Sequence, residues 1–407
     1  GKTIQDAHDE IREAVDFLRY YANRSTLFNS QSTQSGPTGE DNILEYCPKG
    51  LVACISPWNF PLAITLGQIA AALVTGNTVI AKASEETSLI AFKAAGLFFN
   101  HGLPKDALHL LLGDGRVGQA IITSQALDLV VFTGSLKTAK SIHNSLSNKP
   151  GKIVPLIAET GGLNSMVVDS SALIERACDD IMRSAFNSAG QRCSALRLLL
   201  VHETIYEELI LMLKGMMSEL IIGNPSNSSV DMGPIISVEA AQELYDYINR
   251  SDPERLAIFQ PQAPDEHRKQ WFLPTLIELK SINTLNEEKF GPILHVLKFS
   301  EKTLDSQLEQ ITAKGFGLTF GIHTRIDAKA IHASKLVSAG NTYINRDIIG
   351  AVVESQPFGG KNLSGTGFKA GGPNYLMQFT DERTISINTV AIGGNAELLN
   401  QASEDAP

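Results

Sequence analysis

Three residues in this chain carry side chains that do chemistry, each set in a run of small or turn-forming neighbours. Cys193 lies in Asn187-Ser188-Ala189-Gly190-Gln191-Arg192-Cys193-Ser194, a thiol on a tight turn. Glu159 opens Glu159-Thr160-Gly161-Gly162-Leu163-Asn164, directly after an apolar run. Asn59 sits in Ser56-Pro57-Trp58-Asn59-Phe60-Pro61, after another. A thiolate attacks a carbonyl, an amide N–H holds the oxyanion that forms, and a carboxylate activates the water that releases the product. Those are the parts needed to oxidise an aldehyde through a thioester. Taken singly, each has an ordinary alternative: buried filler for the cysteine, a solvated turn for the glutamate, a closed turn for the asparagine.

Positioning such a set takes a sizeable scaffold. With 407 residues, 43% of them apolar and 19% charged, the chain has the composition of a globular enzyme of two or three domains. Its net charge of −10, with no long basic run, disfavours nucleic-acid binding. Cys47, Cys54, Cys178 and Cys193 are far apart, so neither a disulfide framework nor a zinc site is expected, and a reducing, cytoplasmic setting is. Histidine spacing offers no metal site. No run reaches the ~18 apolar residues of a membrane span, and no signal peptide is apparent. The chain lacks an initiator methionine and opens inside a helical pattern of Ile4, Ala7, Ile11, Ala14, Leu18 and Tyr21, as if an upstream part had been removed.

Between residues 51 and 169, short apolar runs alternate with helical patterns. Strands are expected at 51–55, 78–81, 107–112, 129–132 and 153–158, and helices at 62–73, 84–100 with Ser84 as N-cap, 117–124 and 137–146. Such alternation means a parallel sheet covered on both faces. A second α/β stretch follows, with helices at 173–189, 206–220 and 241–249 and strands at 195–201, 293–299, 317–323 and 342–345. Residues 252–269 read as polar surface, 223–234 as a loop, and 32–41 as the start of an extended arm.

Gly113-Asp114-Gly115-Arg116-Val117-Gly118 matches a dinucleotide fingerprint, but the acidic residue expected about 20 positions on is absent, so a plain strand–turn–helix connection is the better reading. Phe132-Thr133-Gly134-Ser135, entering a helix, is more specific: glycine admits a phosphate and the helix N-terminus favours it. Lys82 and Glu85 end a strand at the edge where ligands of parallel sheets bind.

In order and spacing, the Cys193, Glu159 and Asn59 runs, together with Glu288-Lys289-Phe290-Gly291-Pro292, resemble the aldehyde dehydrogenase superfamily. The C-terminal half narrows the resemblance. Asn341 to Val353, Gln356-Pro357-Phe358-Gly359-Gly360, Leu363 to Gly367, Lys369 to Pro373 and Ala391-Ile392-Gly393-Gly394-Asn395 are similar to pyrroline-5-carboxylate (glutamate-γ-semialdehyde) dehydrogenases, in particular the module of bacterial bifunctional proline-utilisation proteins, here N-terminally truncated.

The resemblance implies an α/β aldehyde dehydrogenase fold. Residues 50–160 would form a parallel-sheet NAD-binding domain with a helix from 1–30, and residues 161–368 an α/β catalytic domain. Residues 31–49 would form an oligomerisation arm, joined by a C-terminal segment from 369–407. It implies NAD held by Ser56, Trp58, Lys82, Ser84, Glu85, Gly134, Ser135, Glu288 and Phe290, with Cys193, Glu159 and Asn59 catalytic. Substrate would be held by Gly350, Ala351 and Ser194 at its α-carboxylate and by Phe60 and Phe358 along its chain. A homo-oligomer is implied, as is fusion to, or channelling from, a flavin-dependent proline dehydrogenase. The alternatives are a dehydrogenase for another aldehyde, such as succinic semialdehyde, or an inactive module.

Overall fold

The computed structural model of the chain describes residues 1–28, 32–250, 252–262 and 269–392. Two sheets organise it. The first has five parallel strands in the order Leu108–Leu111, Thr78–Lys82, Leu51–Ile55, Leu129–Thr133, Leu156–Glu159. The chain starts in the middle, builds to one side and then returns to build on the other. Its switch point therefore lies between Leu51–Ile55 and Leu129–Thr133, where open α/β sheets bind ligands. Val52, Val79, Leu129 and Val130 are fully buried, as expected for strands packed on both faces.

The second sheet has seven strands in the order Arg255–Phe259, Thr275–Leu279, Ile293–Phe299, Leu198–His202, Ser165–Val168, Thr319–His323, Asn341–Ile344. Only the edge strand Arg255–Phe259 runs antiparallel. That strand lies in the stretch expected to be polar surface. Its side chains are mostly exposed, with Leu256 at 60%, so edge pairing rather than burial holds it; residues 263–268 of the stretch lie outside the described residues. A third sheet pairs Ser32–Gln34, Glu40–Pro48 and Thr380–Asn388 in antiparallel order, the extended arm. The expected boundary near residues 29–31 and the C-terminal segment beyond residue 392, including Gly393 to Asn395, lie outside the described residues.

The opening helix, Ile4–Arg24, buries part of the face its spacing suggested, at Ala14 and Tyr21, but not its first turns. Ile4 and Ile11 are exposed, while Asp6, Glu10, Ala14, Phe17 and Tyr21 are buried. The two acids have partners that make burial tolerable. Glu10 Oε1 accepts the Leu62 and Ala63 backbone N–H groups at 2.7 and 3.3 Å. It thus caps helix Ala63–Val74, whose own N-terminal residue offers no side-chain cap. Asp6 pairs with Arg192 at 2.8 Å, both buried. Removing either partner leaves an unpaired buried charge, at a cost of about 3–5 kcal/mol. Helix Ala63–Val74 can be apolar almost all round because it is enclosed between this helix and the first sheet.

Three further expectations are corrected. Ser84 makes no side-chain cap; a 3-10 turn, Glu85–Thr87, intervenes and the helix proper is Ser88–Asn100. The strand expected from 153 begins at Leu156, and Ile153 is 97% exposed, since Pro155 has no N–H to give a ladder. The helix expected to reach 189 ends at Phe186, because Ser188 and Ala189 adopt φ of +54°.

Candidate active site

Cys193 sits where a strained turn meets a clamp. Ser188, Ala189 and Gly190 are all left-handed, at φ of 54°, 54° and 62°. For Ser188 and Ala189 this costs roughly 1–2 kcal/mol each. At Gly190 a Cβ would lie 2.3 Å from the Gly291 carbonyl oxygen, so only glycine fits. The Gln191 side chain holds the turn from outside: its Nε2 donates to Ser188 O and Pro234 O, and its Oε1 accepts the Ile236 N–H. From inside, Asn164 Nδ2 donates to Cys193 O at 2.6 Å and Ala195 O at 2.9 Å. Asn59, after strand Leu51–Ile55, donates its Nδ2 to Gln191 O at 3.2 Å. An amide nitrogen carries two hydrogens, so one remains for an oxyanion beside the sulfur.

Two cavities meet at Cys193 and Glu159. One, of about 500 Å³, runs along the switch point and is lined by Trp58, Asn59, Gly134, Ser135, Glu288 and Phe290, among others. The other, of about 120 Å³, is lined by Phe60, Ser194, Gly350, Ala351 and Phe358, together with Glu13. Five of the nine residues expected for cofactor thus line the first cavity, and all five expected for substrate line the second. Lys82 and Glu85 pair at 3.0 Å at the end of strand Thr78–Lys82, outside the lining of either cavity. Ser84 is buried beside them. Ser56 is buried too, its hydroxyl donating to Gln68 Oε1 at 2.9 Å.

The large cavity fits a dinucleotide. Gly134-Ser135 opens helix Leu136–Ser147, whose N-terminal N–H groups face an anion arriving along the crevice; Ser135 Oγ accepts the Thr138 N–H. The Gly113 loop fits less well, because the Asp114 carboxylate already occupies the N-terminus of helix Gly115–Thr123 by accepting the Arg116 N–H. Trp58 and Phe290 meet edge to face at 5.5 Å. Glu288 is drawn inward by the wholly buried Arg197, at 3.1 Å. A Cβ on Gly161 would come within 1.6 Å of the Glu288 carboxylate, so a side chain there would displace it.

Burial sets the protonation of the site. It pushes the Cys193 thiol up to about 12, helped by the Glu288 and Glu159 carboxylates and opposed by the Ser194 N–H. Burial likewise raises Glu159 to about 8, against the Gly360 N–H and Lys369; the Gly360 bond to Oε2 is 3.1 Å. Glu288 rises to about 7 against Arg197, and Glu13 to about 7 against Arg192. Carboxyls near neutrality are suited to proton transfer at working pH.

Four residues escaped the motif reading. Glu13 carries no local signature, since a glutamate on an amphipathic helix is ordinary. Arg192 lies in the cysteine's own run, Arg197 three residues beyond it and Asn164 at the end of the Glu159 run, and no spacing rule selects any of them. Among the described residues no cluster of histidine, cysteine or carboxylate side chains could hold a metal. None of their helices is long and apolar enough to cross a membrane.

A thiol between a dinucleotide-sized crevice and a small second cavity, on one parallel and one mixed α/β sheet, defines a thiol-dependent dehydrogenase. The chain belongs to the aldehyde dehydrogenase family, whose model matches residues 1–385. It is 45% identical over 394 residues to the bifunctional protein PutA of Klebsiella aerogenes, covering 94% of this chain but 29% of that one. With 1-pyrroline-5-carboxylate dehydrogenase of a Geobacillus species it shares 35% identity, covering 95% of this chain and 76% of that protein. A crystal structure of bifunctional proline utilization A superposes with a TM-score of 0.93 at 50% identity, covering 97% of this chain and 40% of that chain. A 1-pyrroline-5-carboxylate dehydrogenase from Thermus with bound NAD superposes with a TM-score of 0.90 at 30% identity, covering 95% and 76% respectively. The chain therefore spans under a third of the length of the bifunctional relative and about three quarters of the single-function ones.

Proposed function

We propose that the chain oxidises L-glutamate γ-semialdehyde, the open form of pyrroline-5-carboxylate, to L-glutamate with NAD, in proline catabolism. The observation that carries this is the composition of the small cavity. Gly350, at φ +72°, and Ala351 present backbone N–H groups, and Ser194 adds a hydroxyl, for an α-carboxylate. Phe60 and Phe358 suit the methylenes. Glu13 suits the α-ammonium, and a cation arriving there relieves the burial that raises its pKa. Relatives bearing the name 1-pyrroline-5-carboxylate dehydrogenase support the same reading.

The Cys193 thiol releases its proton to water, and the thiolate adds to the aldehyde carbon. Asn59 and the Cys193 backbone N–H hold the resulting oxyanion. When bound, NAD supplies the hydride acceptor that converts the thiohemiacetal to a thioester. Glu159 then takes a proton from water, the hydroxide adds to the thioester carbon, and the Cys193 thiolate leaves with glutamate formed. Ser56, Trp58, Gly134, Ser135, Glu288 and Phe290 hold the dinucleotide along the crevice, and Lys82, Ser84 and Glu85 its adenosine end. We assign residues 50–160 with helix Ile4–Arg24 to an NAD-binding domain and 161–368 to a catalytic domain. The exposed strands Ser32–Gln34 and Thr380–Asn388 form an arm suited to pairing with a second copy. Proline oxidation by a flavin-dependent dehydrogenase, as in the bifunctional relatives, supplies the substrate, in the cytoplasm.

Succinic semialdehyde carries the carboxylate and methylenes but no ammonium, so Glu13 separates the two substrates. Comparing NADH formation on both is the test. Glutamate semialdehyde should be preferred by at least about tenfold; equal efficiency would overturn the assignment.

A further inference from the structure

The carboxylate cradle and the nucleophile turn come from segments more than 150 residues apart, yet a reaction needs them in fixed register. One residue joins them. Ser184, in the last turn of helix Ile174–Phe186, is 1% exposed. Its backbone carbonyl accepts the Leu196 N–H at 2.9 Å, three residues after Cys193. Its Oγ accepts the Ile348 N–H at 3.1 Å, two residues before Gly350, and donates to Asp180 O at 2.6 Å. Ile348 and Ile349 are buried, so the Ile348 N–H has no water to turn to if the hydroxyl is lost. On its far side the segment is tied by Asn345, whose side chain exchanges two hydrogen bonds with the Thr324 backbone. Arg183, one residue before Ser184, reaches Asp347 at 3.4 Å.

We propose that Ser184 is a positioning residue for substrate selection: its hydroxyl sets the Gly350-Ala351 amides at the distance from Cys193 that a five-carbon amino-acid aldehyde requires. This rests on the proposed glutamate-semialdehyde activity. Ser184 touches neither substrate nor cofactor, so its loss acts through the cradle alone. An unpaired Ile348 N–H shifts the loop to find a partner, and the carboxylate site moves while the thiol, base and crevice stay.

The test is Ser184→Ala against Ser184→Thr, which keeps the hydroxyl. Each is assayed for competitive inhibition by glutamate, for KM and kcat on glutamate semialdehyde, and for kcat/KM on propanal. Ser184→Ala should raise the inhibition constant of glutamate and the KM for the semialdehyde by about tenfold, the scale of one lost hydrogen bond. On propanal it should change kcat/KM by less than about threefold, and Ser184→Thr should restore most of the loss. Equal losses on all three measures, or no rescue by threonine, would make Ser184 a general packing residue and overturn the proposal. Unchanged inhibition by glutamate in Ser184→Ala would do the same. A wild type that neither oxidises the semialdehyde nor is inhibited by glutamate overturns the functional reading instead.

Discussion

The cofactor crevice and the substrate cavity share Cys193 and Glu159 but are built in opposite ways. Most of the crevice comes from the ends of neighbouring parallel strands: residues 57–59 after Leu51–Ile55, Gly134-Ser135 after Leu129–Thr133, and residues 159–161 at the end of Leu156–Glu159. Sheet topology alone brings these together. The substrate cavity instead gathers Glu13, Phe60, Ser194, Gly350 and Phe358 from five separate segments. Buried polar links hold them in place: Asp6 to Arg192, Asn164 to the cysteine turn, Asn341 to the Pro357 carbonyl at 2.9 Å. A site built on strand ends tolerates change in its specificity residues. A site built on scattered buried bonds transmits a change anywhere in them to the substrate.

Substitutions should therefore separate into three kinds. The largest effect belongs to the shared sulfur. Cys193→Ala should lower turnover at least about 10⁴-fold on every aldehyde while NAD titration stays near wild type. Loss of NAD binding in that variant would mean that the two cavities are not independently built.

Glu159 comes next. Its proton-accepting form dominates only above about pH 8, so kcat should climb as pH rises through that value and level off beyond it. Glu159→Gln should abolish the limb and slow steady turnover by about 10²–10⁴-fold, leaving a first burst of NADH. Rapid-mixing kinetics will show it; a burst reduced as much as the steady rate would place Glu159 before thioester formation.

On the substrate side alone, Glu13→Gln should cost about tenfold to a hundredfold in kcat/KM on glutamate semialdehyde. It should leave propanal and NAD within about threefold. A uniform loss would indicate that Glu13 serves Arg192 and the cysteine turn rather than the ammonium.

The smallest effect lies at the far end of the crevice. Glu85→Gln should narrow a preference for NAD over NADP by about tenfold, because a carboxylate at the ribose repels a 2′-phosphate. It should leave the choice of aldehyde untouched, as a strand-end residue ought to.

The same contrast explains what was legible in the sequence. Parallel strands such as Leu51–Ile55 and Leu129–Thr133 stand out because both their faces are buried and their residues are apolar almost throughout. Strand Arg255–Phe259 did not, although residues 256–259 are apolar, since the polar stretches on either side mask so short an edge run. The first helix was found, but its buried face only in part, at Ala14 and Tyr21. Asp6 and Glu10 are buried for partners 186 and 52 residues away, and no periodicity reports on those. Glu13 was hidden for the same reason. Cys193, Glu159 and Asn59 were readable because turns with glycine, proline and small residues mark the places where a side chain is presented rather than packed.

Product inhibition tests the central claim most directly, since it asks whether the small cavity reads an amino acid. Glutamate should inhibit wild-type NADH formation competitively with respect to the semialdehyde and not with respect to NAD. No inhibition, or competition with NAD alone, would contradict the assignment of the Gly350-Ala351 cavity to the substrate's α-carboxylate.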